Sequence, residues 1–369
     1  MSNLTSRKPN RVYLERLVFM AALLIPSAFM QGLRVLLVAA LCVAFCMITD
    51  RICCLIRKIP YDPKDAAVPF WGLALAMIMP SCVPAALTAL GAVICIALGK
   101  HIFGGSDNIV FSPPAIAAAF LIICYPSDML FYTKAGEQYP VLGEFSGTLA
   151  RSLEHSLELG NVPTYSIPDV VMGNVPGAIG SVHILVIFVC AVCLILRRGN
   201  SAGAVISCLV TAGAIAFFFP RADISGIESV AYELSSGCLL FGTVFLSAEP
   251  YLIPKRKMAR VLYGIVLGYT TMMFRYFGQT ECCFVFALLI TGALTGCFDR
   301  IVDNLSYWKK HYISSFEKNK SMVQHGNIKL TDTQEIVLPE KYRYNTPPID
   351  GEIKRKHKKS AKEDSDENN

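Results

Sequence analysis

The sequence predicts an all-α polytopic membrane protein with about ten transmembrane helices, and its composition and charge distribution predict this class. Hydrophobic residues make up 53% of the chain and charged residues only 17%, with a mean hydropathy of +0.46, whereas soluble proteins carry about 25% charged residues. Charges are absent from windows such as 87–98, 115–123 and 184–196 and are dense near the C-terminus. The chain is therefore a series of apolar segments followed by a polar tail.

Ten apolar runs approach the roughly 20 residues that a helix needs to cross a bilayer. These runs are residues 17–33, 35–49, 68–78, 85–98, 114–125, 181–196, 202–219, 234–248, 261–274 and 282–298. The third and fifth runs are short and bounded by Gly or Pro, a pattern that often marks broken helices at a binding site. The alternative is that these two helices extend beyond their most apolar portion.

The loops between the runs differ in their content of Lys and Arg. With the N-terminus in the cytoplasm, the cytoplasmic loops carry fifteen of these residues and the outer loops five, the tail excluded. An excess of Lys and Arg marks the cytoplasmic side of membrane proteins. The sequence therefore predicts that both termini are cytoplasmic. The first run also lacks the small-residue cleavage site of a signal peptide.

Five segments follow from this topology. They are a cytoplasmic N-terminus (1–16), a first transmembrane half of five helices (17–125), an outer loop (126–180), a second transmembrane half of five helices (181–298) and a cytoplasmic, largely disordered charged tail (299–369). The two apolar halves suggest a two-half pseudo-symmetry. The basic stretch 354–359 could contact anionic membrane lipid, although blocks of like charge are usually solvated and disordered.

Several classes of function lack the patterns that they need. The sequence has no Walker, nucleophile-elbow or dinucleotide-binding pattern, and its six His residues are scattered. Most of the 14 Cys residues lie in apolar runs, where Cys packs as a small hydrophobic residue. The C-x-x-C at 190–193 has no second pair at metal-site spacing. The net charge of +6 follows from membrane topology, and we expect no nucleic acid as a partner.

Polar residues at the ends of apolar runs are the candidates for chemistry. Residues 99–108 form a Gly-rich polar break, in which Gly104 and Gly105 allow the backbone to approach a ligand closely. Asp65 precedes the third run, Glu249 follows the eighth, and residues 173–180 introduce the sixth. A carboxylate at membrane depth is a candidate for function, but at the headgroup level it is ordinary. The sequence leaves both interpretations open.

Several of these segments resemble the RnfD/NqrB family of membrane redox subunits, over roughly residues 15 to 300. KHIFGG at 100–105, followed by Asn108, is similar to the family's GKHxxGGxGxNxFNPA segment, and GNVPGAIG at 173–180 is similar to its GNvPGSiGE element. LFGTVFLSAEP at 240–250 resembles FGAfFMATDP. The segments occur in the family's order, and RnfD, the D subunit of the Rnf complex, is the closer match.

The resemblance implies a ten-helix subunit of an ion-motive complex in the bacterial cytoplasmic (inner) membrane, with the other subunits of an Rnf-type complex as partners. Such complexes move electrons between ferredoxin and NAD⁺ and couple this transfer to Na⁺ or H⁺ transport. The family's RnfD proteins carry FMN on a Thr of the outer loop through a phosphoester, and riboflavin is associated with the membrane part. The chain would then be one component of a translocase rather than an enzyme by itself.

The resemblance also assigns site residues, with one departure. The residues that it assigns to flavin are Ser146, Gly147 and Thr148 in the outer loop and Gly104, Gly105, Asn108, Asn174 and Gly177 near the membrane, and it places Glu249 and Asp65 on an ion path. The attachment motif D-x-x-S-G-A-T has Gly143 in place of its Asp, and Leu149 stands at the ungapped acceptor position. Leucine cannot form a phosphoester. Either a one-residue deletion makes Thr148 the acceptor, or covalent FMN has been lost, and the missing Asp favours loss.

Two further functions remain open at this point. Discontinuous helices and repeated halves are also typical of transporters of small solutes or ions. A cofactor-free scaffold subunit of the same complex would retain the fold without the flavin, and the altered attachment motif is compatible with that alternative.

Overall fold

The computed structural model of the protein describes residues 9–134, 136–138, 140, 148–197, 201–278 and 281–324. This part of the chain is mostly helical with almost no strand, so the prediction of an all-α protein is confirmed for it. The chain divides into two compact units, Met1–Trp308 and Lys309–Asn369. The first unit contains every site considered below.

Fifteen α-helices, a π-helical turn, a 3₁₀ turn and two short strands make up the described residues. In chain order they are α1 (Pro9–Gln31), α2 (Arg34–Arg57), α3 (Ala67–Ile78), α4 (Ala85–Ile96), the π-helical turn (Ala97–His101), the 3₁₀ turn (Ser106–Asn108), α5 (Pro113–Cys124), α6 (Pro126–Met129), β1 (Tyr132–Thr133), β2 (Leu149–Ala150), α7 (Leu153–Glu158), α8 (Ile167–Met172), α9 (Ile184–Leu196), α10 (Ala202–Phe218), α11 (Gly226–Ser235), α12 (Leu239–Phe245), α13 (Lys257–Phe277), α14 (Cys283–Ala293) and α15 (Thr295–Gln324).

Two helices among the described residues, α1 and α2, are long and apolar enough to cross a membrane. A third candidate combines Cys283–Ala293 with Thr295–Trp308, which are bent by 53° at the break between them. Five apolar helices are shorter, at 10–17 residues: Ala67–Ile78, Ala85–His101, Pro113–Cys124, Ile184–Leu196 and Ala202–Phe218. The number of ten spans and the orientation of the termini therefore remain predictions.

Three segments differ from the sequence-based expectation. The apolar run 234–248 is not one helix, because the chain breaks after Ser235 and resumes as α12, with Gly237 at φ 59° in between. The outer loop contains α6, α7, α8 and an antiparallel β1–β2 pair. The first part of the tail predicted to be largely disordered (299–369) belongs to α15, which continues to Gln324, and residues 325–369 lie outside the described residues. Hydropathy reports burial but not helix continuity, and strands of two residues are too short to show alternation.

The short helix α3 lies at the centre of the first unit. Eleven of its twelve residues are buried, and it packs against α1, α2, α4 and α5. At 1.5 Å per residue it is about 18 Å long. Its two ends lie beside the two groups of charged residues that form the candidate sites.

The C-terminal end of α3 is completed by a distant segment. The backbone N–H of Gly180 donates to the Met77 carbonyl at 2.8 Å, and that of Ile179 donates to the Met79 carbonyl at 3.1 Å. The Ser27 hydroxyl donates to the Ile179 carbonyl at 2.9 Å. Helix ends leave carbonyls without partners inside the helix, and non-helical backbone at membrane depth is tolerated where protein buries it. Residues 179–180 meet both requirements.

Candidate functional site

The N-terminal end of α3 lies beside the α2–α3 charge cluster, which comprises Asp50, Arg57, Asp65, Lys100 and His101. The Lys100 ammonium lies 2.8 Å from Asp50 Oδ1 and 3.1 Å from Asp65 Oδ2. His101 Nε2 lies 2.8 Å from the same Asp50 oxygen, and Arg57 donates to the His101 carbonyl at 2.9 Å. Burial lowers the pKa of Lys100, but hydrogen bonding and attraction from Asp50 and Asp65 outweigh that effect and raise the pKa. Lys100 therefore remains a cation that both carboxylates share.

The Gly-rich segment is attached to this cluster. The Ser106 hydroxyl donates to Asp65 Oδ2 at 2.9 Å, and the backbone N–H of Ala67 donates to Asp65 Oδ1 at 3.0 Å. Gly104 and Gly105 have φ values of 107° and 130°, which residues with side chains rarely adopt. No atom lies within 4 Å of the position that a Cβ would take at Gly105. The segment is thus an open turn held by Asp65, with Asn108 exposed at its end.

Glu249 lies in the connection between α12 and α13 and is fully buried. The Trp71 indole of α3 donates to its Oε1 at 2.5 Å. The buried Arg16 guanidinium of α1 donates to the carbonyls of Phe245 and Ala248, which fixes the chain just before Glu249. Burial raises the pKa of Glu249 to about 7, against the lowering effects of the Trp71 hydrogen bond and the Arg16 charge. The carboxyl group can therefore gain or lose a proton near neutral pH.

Three buried oxygen atoms near Glu249 lack hydrogen-bond partners. They are Glu249 Oε2, the Ser112 hydroxyl and the Tyr13 hydroxyl. Ser112 is near enough to Glu249 to lower its pKa, although no hydrogen bond of good geometry joins the two side chains. Buried polar atoms almost always have partners. Three such atoms around one carboxyl group make this place a candidate site for a proton, a water molecule or a small cation.

The opposite end of α3 lies near a second group of ionised residues, the α11–α13 charge cluster, which comprises Glu154, Arg221, Glu233, Arg275 and Glu281. Arg275 lies 3.0 Å from Glu154 and 2.8 Å from Glu233, and it donates to the Glu233 carbonyl at 2.6 Å. Arg221 donates to both carboxylate oxygens of Glu233. Burial raises the pKa of Glu281, which accepts hydrogen bonds from Ser152 and Arg151. Every ionised group in this cluster has an oppositely charged partner.

The segment with Asn174 and Gly177 borders the α11–α13 cluster. The Asn174 backbone N–H donates to the Asp169 carbonyl at 2.9 Å. Gly177 lines a cavity of about 20 Å³ together with Ser236, Cys238 and Cys282, which is space for about one water molecule. The structure therefore places Asn174 and Gly177 at one end of α3 and Gly104, Gly105 and Asn108 at the other. These two groups do not form one site.

The outer loop is described in part. Thr148 is exposed, and its backbone N–H donates to the Glu137 carboxylate at 3.2 Å. Leu149 pairs with Thr133 in the β1–β2 ladder. Ser146 and Gly147 lie outside the described residues. Of the two positions considered for flavin attachment, Thr148 alone offers a hydroxyl group, and that residue is accessible.

A larger cavity, of about 530 Å³, begins next to the Gly-rich segment. It is lined by Ile109 and Val110, by the connection that contains Tyr251 and Lys255, and by the break between α14 and α15. Asp299 accepts hydrogen bonds from the backbone N–H groups of Lys255 and Arg256 at 3.0 and 3.2 Å, which holds one wall. Ligand sites commonly enclose 300–1,000 Å³, so this cavity is large enough for a flat heterocycle.

Sequence reasoning found Glu249 and Asp65 but missed most of their partners. Trp71 and Tyr13 look like ordinary apolar residues in the sequence, because their contacts with Glu249 come from helices distant in sequence. Arg275, which is 3% exposed, and Arg16, which is fully buried, stand at the ends of apolar runs. Their position at the ends of apolar runs could have identified them as candidates for buried ion pairs, because an Arg that is buried with such a run needs a partner.

Comparison with known proteins identifies relatives over most of the chain. The profile of the NQR2, RnfD, RnfE family matches residues 5–307. The D subunit of the ion-translocating oxidoreductase complex of Methanosarcina acetivorans is 27% identical over 231 residues, which are 62% of this chain and 68% of that protein. The D subunit of the Na(+)-translocating ferredoxin:NAD(+) oxidoreductase complex of Acetobacterium woodii is 25% identical over 282 residues, or 76% and 85%.

The second branch of the family matches over a smaller part. The B subunit of the Na(+)-translocating NADH-quinone reductase of Pseudomonas aeruginosa (strain LESB58) is 25% identical over 206 residues, which are 54% of this chain and 50% of that protein. The resemblance to this family that the sequence indicated is thereby confirmed. Because the profile covers residues 5–307, the chain belongs to the NQR2, RnfD, RnfE family.

Proposed function

We propose that this chain is the RnfD-like membrane subunit of an ion-translocating oxidoreductase complex, in which electron transfer linked to ferredoxin and NAD⁺ drives Na⁺ or H⁺ across the membrane. The family match across residues 5–307 carries the proposal. The relatives from Methanosarcina acetivorans and Acetobacterium woodii bear names of that activity. The partners are then the other subunits of an Rnf-type complex, and the chain acts within that assembly.

The same proposal includes a multi-pass location in a bacterial cytoplasmic membrane, with ten spans and both termini inside. The excess of Lys and Arg in alternate loops supports this orientation. The short apolar helices support it too, because their ends are completed by other parts of the chain, as at Gly180 and Met77. Such helices can occupy a membrane interior without being 20 residues long.

Glu249 is the proposed carboxylate of the ion path. Its pKa of about 7 allows exchange of a proton near neutral pH, and the unpartnered oxygens of Ser112 and Tyr13 offer further ligands for a hard cation. Asp65 is less suited, because Lys100, Ser106 and the Ala67 backbone already donate to its carboxylate. Lys100 also supplies the positive charge that balances Asp65, so this carboxylate has little need of a mobile ion.

Flavin is the proposed redox cofactor, and Thr148 fits its covalent attachment. The hydroxyl group is on an exposed residue next to the β1–β2 pair, where a phosphoester would not disturb the core. FMN attached there would supply one- and two-electron redox chemistry. The nearby Glu137 carboxylate would repel the phosphate, so attachment requires that this side chain turn away. Leu149 offers no acceptor atom.

The cavity of about 530 Å³ beside Ile109 is the proposed place for a second, non-covalent flavin such as riboflavin. Its position next to the Gly-rich segment supports this assignment, because no atom lies within 4 Å of the position that a Cβ would take at Gly105, so a ligand can approach the backbone closely there. The chain's own contribution is to hold the ring and exclude water. Tyr251 and Val110 supply the apolar wall.

The test is to express the chain with its neighbouring subunits and a flavin transferase and to examine the purified, denatured chain for in-gel fluorescence. We expect a fluorescent band that disappears in Thr148→Ala and persists in the matched variant Leu149→Ala. Flavin released by acid precipitation from native protein measures the non-covalent site separately. Copurification of neighbouring subunits tests the assembly.

The outcomes separate the candidate functions. A dark band with released riboflavin would mean that covalent FMN has been lost and that one flavin remains. A dark band without released flavin, in a chain that still copurifies with partners, would identify a scaffold subunit. Uptake of a small solute by the chain alone, without partners or flavin, would overturn the proposal in favour of a transporter.

A further inference from the structure

Three side chains with different ligand atoms meet beside the Gly-rich segment. A carboxylate oxygen of Asp50, the Cys54 thiol and an imidazole nitrogen of His101 all lie within 4.8 Å of one another. Asp50 and Cys54 are one turn apart on α2 and so share a face of the helix. His101 ends the π-helical turn that precedes Gly104. Asp50 and Cys54 are buried, at 2% and 7% exposed.

This combination of atoms has the chemistry of a zinc site. Thiolate, imidazole and carboxylate are the three protein ligands of Zn²⁺, and sites with three of them keep a fourth position for water. In a tetrahedral site with bonds of about 2.0–2.3 Å, the ligand atoms are about 3.3–3.8 Å apart. His101 Nε2 and Asp50 Oδ1 are now 2.8 Å apart, so they need to separate by about 1 Å or less. We propose that Asp50, Cys54 and His101 bind one Zn²⁺ ion.

Lys100 already pairs with Asp50 and would compete with a metal ion for that carboxylate. It can leave Asp50 without losing its last carboxylate partner. Its ammonium lies 3.1 Å from Asp65 as well as 2.8 Å from Asp50, so it keeps a carboxylate partner when Asp50 turns toward a metal ion. Both bonds that Asp50 accepts reach Oδ1, and no described residue donates to Oδ2. With Cys54 ionised, the charges of Asp50, Asp65 and Cys54 exceed those of Lys100 and Arg57 by one. The site is therefore net negative before it receives a dication.

Binding of Zn²⁺ requires two proton movements. Cys54 loses its thiol proton to bulk water, because the thiolate is the metal ligand. In the metal-free state Arg57 approaches His101 Nδ1 at 3.4 Å, which favours the proton on Nε2, where it is donated to Asp50. When Nε2 binds the metal, that proton moves to Nδ1. Arg57 keeps its 2.9 Å hydrogen bond to the His101 carbonyl, and one proton is released for each ion bound.

The consequence of the site is a cross-link between α2 and the π-helical turn. Without metal, this junction depends on ion pairs and hydrogen bonds. With Zn²⁺ bound, two residues of α2 and one residue of the turn share a metal ion, which fixes the start of the Gly-rich segment. The inference stands on these three side chains and does not depend on the proposed function.

The test uses the full-length chain, purified in detergent and stripped of metal with a chelator. Titration with Co²⁺, which takes the place of Zn²⁺ and is coloured, should give a near-ultraviolet thiolate-to-cobalt absorption band that saturates at one ion per chain. Zn²⁺ should then displace the Co²⁺. Cys54→Ser should abolish the band, and the matched variant Cys53→Ser should keep it, since Cys53 is the neighbouring thiol outside the cluster.

Two further measurements are the metal affinity of His101→Ala and the alkylation of Cys54 in the unsubstituted chain. We expect His101→Ala to weaken binding by more than the ~10–100-fold that loss of an outer-shell partner costs. In the unsubstituted chain, Zn²⁺ should protect Cys54 from alkylation and leave Cys53 reactive, as measured by mass spectrometry of the peptide. Equal alkylation of Cys54 with and without Zn²⁺, or a cobalt band that persists in Cys54→Ser, would overturn the proposal.

Discussion

The surroundings of Glu249 and the α11–α13 charge cluster differ in how completely their buried charged groups are paired. In the cluster, Arg275 joins Glu154 and Glu233, and Arg221 joins Glu233, so that every ionised group is paired. Glu249 has one strong hydrogen bond, from Trp71, and its second oxygen has no hydrogen-bond partner. A fully paired network holds the fold in one state. A carboxyl group with a raised pKa and one oxygen without a partner can change its protonation state, and the proposed role of Glu249 in the ion path rests on this difference.

The largest effect is expected where the paired network is broken. Arg275→Ala removes a fully desolvated guanidinium and leaves Glu154 and Glu233 buried without their shared cation. Loss of one partner of a buried pair costs about 3–5 kcal/mol of unfolding free energy. Denaturant unfolding in detergent should show a loss of this size. A loss below about 1 kcal/mol would mean that solvent reaches the cluster. The cluster would then not be a desolvated, paired network that differs from the surroundings of Glu249.

Glu249→Gln should have the second-largest effect, and of opposite sign. Burial raises the pKa of Glu249 from 4.5 to about 7, so the unfolded chain loses this proton at lower pH than the folded chain. The stability of the folded state therefore falls as pH rises from about 4.5 to 7, by on the order of 3 kcal/mol in total. Gln remains neutral and still accepts from Trp71, so Glu249→Gln should be more stable than the unsubstituted protein at about pH 8 and nearly equal at about pH 4.5.

The pH dependence is the informative part of that comparison. It should be measured by thermal unfolding across this range, with Asp223→Asn as a control at an exposed carboxylate. The control should show no growing difference with pH. An equal stability difference at both ends of the range would contradict the titration of Glu249 and assign the effect to packing alone.

The smallest effect is expected at the edge of the paired cluster. Arg151 pairs with Glu281 at 2.8 Å, but its side chain is 39% exposed. Solvent reaches Arg151, and the buried Glu281 keeps its hydrogen bond from Ser152, so Arg151→Ala should cost less than the ~3–5 kcal/mol expected for Arg275→Ala. Comparison with Arg275→Ala in the same unfolding assay measures how steeply pairing energy rises with burial. Similar losses for both variants would mean that contact with a carboxylate, rather than burial, sets the energy.

Sequence reasoning predicted the fold class and the family but not the continuity of the helices. The apolar runs locate α3, α4, α5, α9 and α10 closely, whereas α1 begins eight residues before its run and α2 ends eight residues after its run. The run 234–248 hides the break at Gly237, where two independent features require glycine: the φ of 59°, and the Glu154 carboxylate, with which a Cβ would clash. Hydropathy averages over such a short break, and only the distant residue explains why the helix stops there.

The sequence predicted individual residues of the candidate sites but not which residues contact one another. Glu249 stood out as a carboxylate followed by Pro, yet its partners Trp71 and Arg16 come from α3 and α1. The family resemblance assigned both the Gly-rich segment and residues 174–177 to flavin. Their separation by the length of α3 follows from the hydrogen bonds of Gly180 to Met77 and of Ser106 to Asp65. Contacts between residues so distant in sequence leave no local pattern.

The short central helix limits how the chain could span a membrane. The buried helix α3 has twelve residues and is about 18 Å long, whereas the hydrocarbon core of a bilayer is about 30 Å thick. One helix of this length does not reach both surfaces by itself. Other segments, such as the one whose Gly180 N–H donates to the Met77 carbonyl, would supply the remaining backbone at that depth.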